Sequence, residues 1–304
     1  MTASPLLPDV LRQKLPGIDS VEPCVAAGGF KWVYGATVRG RKEALKVVMM
    51  RESIDIDPEA AEAFRREQVG RVCREIEALG KCRSPEIVKL GGVYPCEFEV
   101  AGRHYVAYSE EFVEGSDLWK LIRAGSHRPN LAELVELFAA LLRCIEELWS
   151  HGYVHRDIKP QNVMRTGNPA RPFVLLDLGI AYAVYEVSLT YQADERMPPA
   201  TYRYLAPEMM EADFRDRLDF RADLYTTGMT VYEYAAGRHP LVDDSDDLMR
   251  TVSRALRQPP TPLERHRPDL PVTFCKLVNG MLKKKPALRP ANLKLIHQQL
   301  GALE

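Results

Sequence analysis

The stretch "YVHRDIKPQNVM", Tyr153–Met164, sets a His, an Arg, an Asp, a Lys and an Asn within the eight positions from His155 to Asn162. Neither a helical nor a strand period accounts for these charges. Asp157 falls on a loop after a long helical pattern, where a carboxylate can act as base toward a hydroxyl. Lys159, two residues on, alternates to the same side of an extended segment and can neutralise a transferring phosphate. Asn162 supplies a neutral oxygen suited to a hard cation such as Mg2+. "FVLLDLG", Phe173–Gly179, then reads as an apolar strand that delivers Asp177 at its end, with Gly179 freeing the turn that follows. Two oxygen ligands, Asn162 and Asp177, flanking a candidate base describe a metal-assisted transfer site.

The rest of the chain frames that site. Its 304 residues suit two lobes, and 46% apolar with 27% charged residues is ordinary for a globular protein. A formal net charge of −1 gives no overall field favouring nucleic acid or an anionic membrane, so no nucleic-acid partner is expected. The six cysteines are scattered without a C-x-x-C pair, which points to reduced thiols. "MTASPLLPDVLRQKLPG" lacks a basic start followed by a long apolar run, and no stretch reaches the roughly 18 apolar residues of a membrane span. A cytoplasmic, soluble protein is the expectation.

Three segments emerge: a Pro-rich lead over residues 1–19, a small lobe over 20–112 and a larger lobe over 113–304. In the small lobe "ATVRGRKEALKVVMM" reads as a hairpin turning at Gly40. A long helix follows, with Asp57 as N-cap and Pro58 in its first turn. "IVKLGGVYP" and "RHYVAYSEEFV" read as two more strands. Beyond Glu114 the period becomes helical: "NLAELVELFAALLRCIEELWSHG" is an amphipathic helix capped by Asn130 and stopped at Gly152. "DFRADLYTTGMTVYEYAAG" and "VTFCKLVNGMLKK" read as buried helices. The fold class is α+β and bilobal: a small antiparallel-sheet lobe with one main helix, and a larger, mainly helical lobe.

"HRDIKPQN", "DLG" and "TYRYLAPE", in that order, resemble the eukaryotic-type serine/threonine protein kinase family, whose pattern is H-R-D-x-K-x-x-N, D-F-G and A-P-E. The resemblance runs from about Val25 to Leu300. Leu178 stands for the family's phenylalanine and keeps an apolar side chain there. The resemblance implies a protein-kinase-like fold, ATP and Mg2+ as cofactors, and a protein substrate with a Ser or Thr acceptor. It matches Lys46 of "EALKVV" to the lysine that binds the α- and β-phosphates, and apolar neighbours on both sides aim it into a cleft. A helix glutamate should hold that lysine; the match to "CREIEAL…SPEIVKL" selects Glu75, with Glu67 and Glu77 as competitors.

The phosphate-covering loop departs from the family. It reads "AAGGFKWV", in which Ala26 and Lys31 replace two glycines, Gly28 keeps the middle one, Gly29 adds freedom and Val33 closes the motif. Lys31 could itself reach a phosphate, and Trp32 falls at the loop tip with no role that the pattern explains. Glu111 and Val113 match the backbone positions that hold adenine, and Ala44 and Met164 supply apolar faces for the purine. Glu110 falls where the family carries an apolar residue or threonine.

Downstream, Arg156 resembles the arginine that grips a phosphorylated residue, with Ser188, Thr190 and Tyr191 as candidate sites. Thr201 stands where the family's threonine bonds the catalytic Asp and Lys. Glu208 should pair with Arg289, and Asp223 should bond the backbone of the catalytic loop. The resulting roles are Asp157 and Lys159 at the reacting group, with Asn162 and Asp177 on the metal. A nucleotide-binding pseudokinase is the alternative, and a small-molecule kinase a third reading. "TYRYLAPE", which builds a peptide platform in the family, counts against that third reading.

Overall fold

A computed structural model describes residues 5–28, 30–51, 57–178, 202–210, 218–243 and 245–303. The chain divides into two compact units, residues 1–81 with 88–113, and residues 82–87 with 114–304.

The first unit is a five-stranded antiparallel sheet ordered β1-β2-β3-β5-β4, with β1 Ile18–Ala27, β2 Lys31–Val38, β3 Arg41–Met49, β4 Cys96–Val100 and β5 Arg103–Glu111. Two hairpins close through two-residue turns, Arg39–Gly40 and Ala101–Gly102, and all four residues have positive φ. Such turns match the twist of the flanking strands. Helix α2, Pro58–Lys81, starts as the sequence implies: the Asp57 carboxylate accepts from the Glu59 and Ala60 amides.

One face of this sheet buries Trp32, Tyr34, Leu45, Val47, Tyr105 and Ala107 in a single cluster. The lead segment contributes to it, which composition alone conceals. Helix α1, Pro8–Lys14, carries Leu11 at 0% exposure, and Leu15 just beyond it is at 1%. Pro8 at the first helical position and leucines four apart are the local reason. Trp32 lies in the same cluster, 6.3 Å from the Tyr105 ring centroid, so it belongs to the core and not to a loop tip.

"IVKLGGVYP" does not form a continuous strand; β4 lies after it. The segment follows β5 irregularly, through Gly91 N–H to the Ser109 carbonyl, Ser109 N–H to Val93 and Glu111 N–H to Lys89. The buried Glu43 carboxylate accepts from Gly92 N–H and from the Ser109 hydroxyl at 2.8 and 2.6 Å. It sits where a Cβ on Gly91 would project, so the Gly–Gly pair admits this carboxylate.

The second unit is mainly helical. It comprises α3 Leu118–Ala124, α4 Leu131–Ser150, α5 Arg221–Ala236, α6 Leu248–Arg257, α7 Val272–Met281 and α8 Leu293–Gly301 among the described residues, with a ribbon of β6 Ser116–Asp117, β7 Val163–Arg165 and β8 Phe173–Leu175. Asn130 caps α4 by accepting from the Glu133 amide at 2.9 Å, and Gly152, at φ 77°, takes the chain out of it. Helix α5 is buried on every side from Ala222 to Ala235, as a central helix must be, and packs against α3, α4 and α7. Its threonines turn inward on the helix: Thr226 donates to the Asp223 carbonyl and Thr230 to Thr226. None of the described helices is long and apolar enough to cross a membrane.

Candidate functional site

In the large unit the opening motif is a pinned loop. Asp223, at the start of α5 and 1% exposed, accepts from the His155 and Arg156 amides, each at 2.7 Å. Burial pushes its carboxyl up to about 6, while the two amides pull it down. Arg156 adopts φ 70°, an uncommon geometry for a non-glycine residue that this double anchor holds in place. Burial pushes the His155 imidazole down to about 4, against the opposing pull of Asp157 and Asp177. The ring is therefore neutral at pH 7, and its Nδ1 accepts from the Asp157 amide at 3.2 Å.

The Asp157 carboxylate is held from two directions. Lys159 Nζ donates to both of its oxygens at 2.8 Å, and Asn162 Nδ2 donates to its Oδ2 and to its backbone carbonyl, each at 2.9 Å. With Nδ2 committed to Asp157, the Asn162 Oδ1 faces away from it. Asn162 precedes β7 and Asp177 follows β8, and these strands pair antiparallel with Val163 opposite Leu175. Leu176 N–H donates to the Asn162 carbonyl at 2.7 Å, so both residues emerge at one end of the ribbon. Asp177 holds φ 51° and Leu178 is fully buried, which turns the chain and anchors it. A carboxylate and an amide oxygen together are hard donors that fit Mg2+. Met164 lies half-buried on β7, opposite Val174.

In the small unit the strand registers gather the expected residues on one face. Val33 is opposite Lys46, Lys46 opposite Tyr108, Ala44 opposite Glu110, and Ala26 beside Val33. Lys31, two residues before Val33, shares that face. Lys46 and Glu110 are diagonal neighbours, and their ammonium and carboxylate form a close ion pair with side chains 4% and 2% exposed. The Lys46 ammonium also lies 5.7 Å from the Tyr108 ring centroid. Glu75, buried on α2, accepts from the Tyr108 hydroxyl at 3.3 Å and lies 3.9 Å from Lys31 Nζ. At the turn, Gly28 N–H bonds the Lys31 carbonyl at 2.8 Å. Glu111 is held by Lys89 at both its amide and its carboxylate, each at 2.8 Å, and Val113 ends the unit half-buried.

The Glu110–Lys46 pair is what residue-by-residue reading missed. Its signal was the period of two: a carboxylate on β5 and a lysine on β3 with matching parity. Glu208 and Arg289 meet as expected, through two hydrogen bonds of 2.5 and 2.7 Å. Thr201, Ser188, Thr190, Tyr191, Gly29 and Gly179 lie outside the described residues.

The sequence profile described as "Protein kinase domain" matches residues 24–300. A probable serine/threonine-protein kinase of Streptomyces coelicolor is 30% identical over 280 residues, covering 91% of this chain and 38% of the relative. The serine/threonine-protein kinase PknA of Mycobacterium tuberculosis H37Rv is 29% identical over 278 residues, covering 90% of this chain and 58% of the relative. The chain thus spans well under two thirds of these relatives. Among solved structures, the PknI kinase domain of Mycobacterium tuberculosis aligns over 95% of this chain and 97% of its own at a TM-score of 0.63 and 23% identity, which establishes a shared fold.

Proposed function

The chain belongs to the protein kinase domain family, and from that premise we propose that it transfers the γ-phosphoryl group of ATP to serine or threonine hydroxyls of proteins. The observation that carries the proposal is the held carboxylate of Asp157. Its oxygens are fixed by Lys159 and Asn162, and the backbone of the two residues before it, His155 and Arg156, by Asp223.

Asp157 orients the acceptor hydroxyl and takes its proton as the new O–P bond forms and the bond to the β-phosphate oxygen breaks, releasing ADP. Lys159 spreads its charge over that carboxylate and the transferring phosphoryl group. Asn162 and Asp177 hold Mg2+, which when bound neutralises the negative charge of the phosphates. Lys46 serves the α- and β-phosphates, with Glu75 positioning it. Ala26, Gly28, Lys31 and Val33 form the phosphate-covering turn. Ala44 and Met164 flank the purine, and Glu111 and Val113 offer backbone groups to its edge. Thr201 completes the contacts to Asp157 and Lys159.

The test uses the purified chain with labelled ATP, Mg2+ and a generic protein acceptor, beside Asp157→Asn and Asp177→Ala. Label on serine or threonine, lost by at least a hundredfold in both variants, is expected. Thermal stabilisation by nucleotide without any transfer would refute the enzyme and support a nucleotide-binding scaffold. Label on a small metabolite alone would refute the protein acceptor.

A further inference from the structure

The small unit gathers four charged side chains on the face that carries Val33 and Ala44. Lys46 of β3 and Glu110 of β5 form one close ion pair, with side chains 4% and 2% exposed. Glu75 of α2, also buried, lies 3.9 Å from Lys31 Nζ and accepts from the Tyr108 hydroxyl at 3.3 Å. Carboxylate oxygens of Glu75 and Glu110 come within 4.8 Å of one another. Two buried carboxylates at that separation repel unless cations neutralise them. The two lysines make the group of four formally neutral. One carboxylate enters it on a helix and the other on a strand.

The strand-borne carboxylate is the one that the family pattern does not supply. Its backbone is fixed on both sides, by Ala44 of β3 and by a bridge to Leu90 of the segment that follows β5. The next residue, Glu111, adds its amide bond to the Lys89 carbonyl at 2.8 Å. Since β3 and β5 are adjacent strands, the ladder itself sets Lys46 and Glu110 at diagonal positions. A lysine stem is flexible, so the place of its ammonium is decided by the groups around it. Tyr108, directly opposite Lys46, adds its ring 5.7 Å from that ammonium. A helix can shift against a sheet as one body, whereas a neighbour in the same ladder moves with the strand it holds. Stability alone does not account for an acid at residue 110. Burying a charged pair costs solvation that the pairing returns only in part, and apolar side chains of similar volume are often as stable.

We propose that Glu110 is a positioning residue for Lys46: it holds the ammonium from within the sheet, alongside Glu75 on α2, so that the lysine stays placed when α2 shifts. The consequence for catalysis rests on the reading in which Lys46 serves the phosphates of ATP; the hold on the ammonium does not.

Two measurements on the full chain separate these parts. Acetylation of Lys46 by acetic anhydride, followed by mass spectrometry, reads the hold without any catalysis. Lys46 should react about tenfold faster in Glu110→Gln than in wild type, because its stem is no longer held against β5. Lys120, whose side chain is 74% exposed, should react equally in both and serves as the reference. In transfer assays Glu110→Gln should lower kcat about tenfold and move KM for ATP by less than about threefold, since it removes an anchor of the ammonium together with a negative charge that opposes the phosphates. In the Lys46→Met background the same change should cost less than about twofold, because its effect passes through the lysine. A carboxylate that only supports the sheet would lower activity alike in both backgrounds. Should Glu110→Gln fail to fold, Glu110→Asp keeps the charge one methylene short and carries the same comparison, with a smaller loss that again disappears in Lys46→Met. Unchanged acetylation of Lys46 overturns the proposal, as does wild-type kcat in Glu110→Gln or an equal loss in both backgrounds. Faster acetylation in a chain that transfers no phosphoryl group supports the hold while refuting the enzymatic reading. A Lys46→Met chain as active as wild type refutes the phosphate role of Lys46 and overturns the proposal with it.

Discussion

Arg289 offers the sharpest test of how the large unit is held together. Its guanidinium is 0% exposed and uses all five N–H groups: two on Glu208, and one each on the carbonyls of Arg221, Lys283 and Lys284. One side chain thus joins the segment at Glu208, the start of α5 and the loop before residue 289. Arg289→Met leaves the Glu208 carboxylate, 14% exposed, without this counter-charge and three carbonyls without these donors. Breaking a buried pair from one side costs about 3–5 kcal/mol. Arg289→Lys keeps the charge but has a single nitrogen that cannot span the two Glu208 oxygens and the three carbonyls, so a loss of about 2 kcal/mol is expected. Glu208→Gln/Arg289→Met should cost less than the sum of its single changes, with a coupling of about 1–3 kcal/mol. A chain of two units need not unfold in one step, so hydrogen exchange of peptides covering 203–210 and 283–289 is the suitable measurement. A loss of 3 kcal/mol lowers protection there about a hundredfold. Protection in Arg289→Met within threefold of wild type, or an Arg289→Lys chain indistinguishable from it, would refute the reasoning.

Asp223 predicts a pH dependence. Its folded pKa, about 6, lies above the ordinary 3.8, so its contribution to stability is fully present below about pH 4 and is lost as pH rises through 6. Between pH 5 and 7 wild type should lose about 1.4 kcal/mol relative to Asp223→Asn, read by urea unfolding at each pH; a difference constant with pH would show that the carboxyl is not raised. For the buried ion pair of the small unit, a double-mutant cycle of Lys46→Met and Glu110→Leu should give a coupling of about 0.5–3 kcal/mol in chemical denaturation. Additive losses would mean that the two side chains do not act as a pair. Leu11→Ala should destabilise the small unit by about 2–5 kcal/mol, because that side chain is wholly buried in the sheet's cluster; a shift in midpoint within error would place α1 outside the core.

What the sequence disclosed depended on the distance over which each interaction is encoded. Asp157, Lys159 and Asn162 lie within six residues, and their hydrogen bonds close inside one loop, so spacing alone was enough to bring them together. The caps Asp57 and Asn130 were equally local. Glu208 and Arg289 are 81 positions apart, and no periodicity links them; only the family resemblance did. Trp32 and α1 were hidden by composition: glycines beside the one and prolines around the other suggested loops. Yet strand parity sends Trp32 to the core face, and Leu11 and Leu15, four apart, keep the helical spacing of a buried edge. Gly91–Gly92 concealed an irregular crossing because the reason for the glycines, the Glu43 carboxylate, lies 49 residues away from the amide it holds. Glu110 shows the same limit at the site itself. Alone it is an acid in an apolar position, a local conflict of the kind that marks function or strain. The register that sets Ala44 opposite Glu110 and Lys46 opposite Tyr108 resolves it, since the acid then lies beside the lysine. Pairing across long separations is where chemistry became visible that no short motif contains.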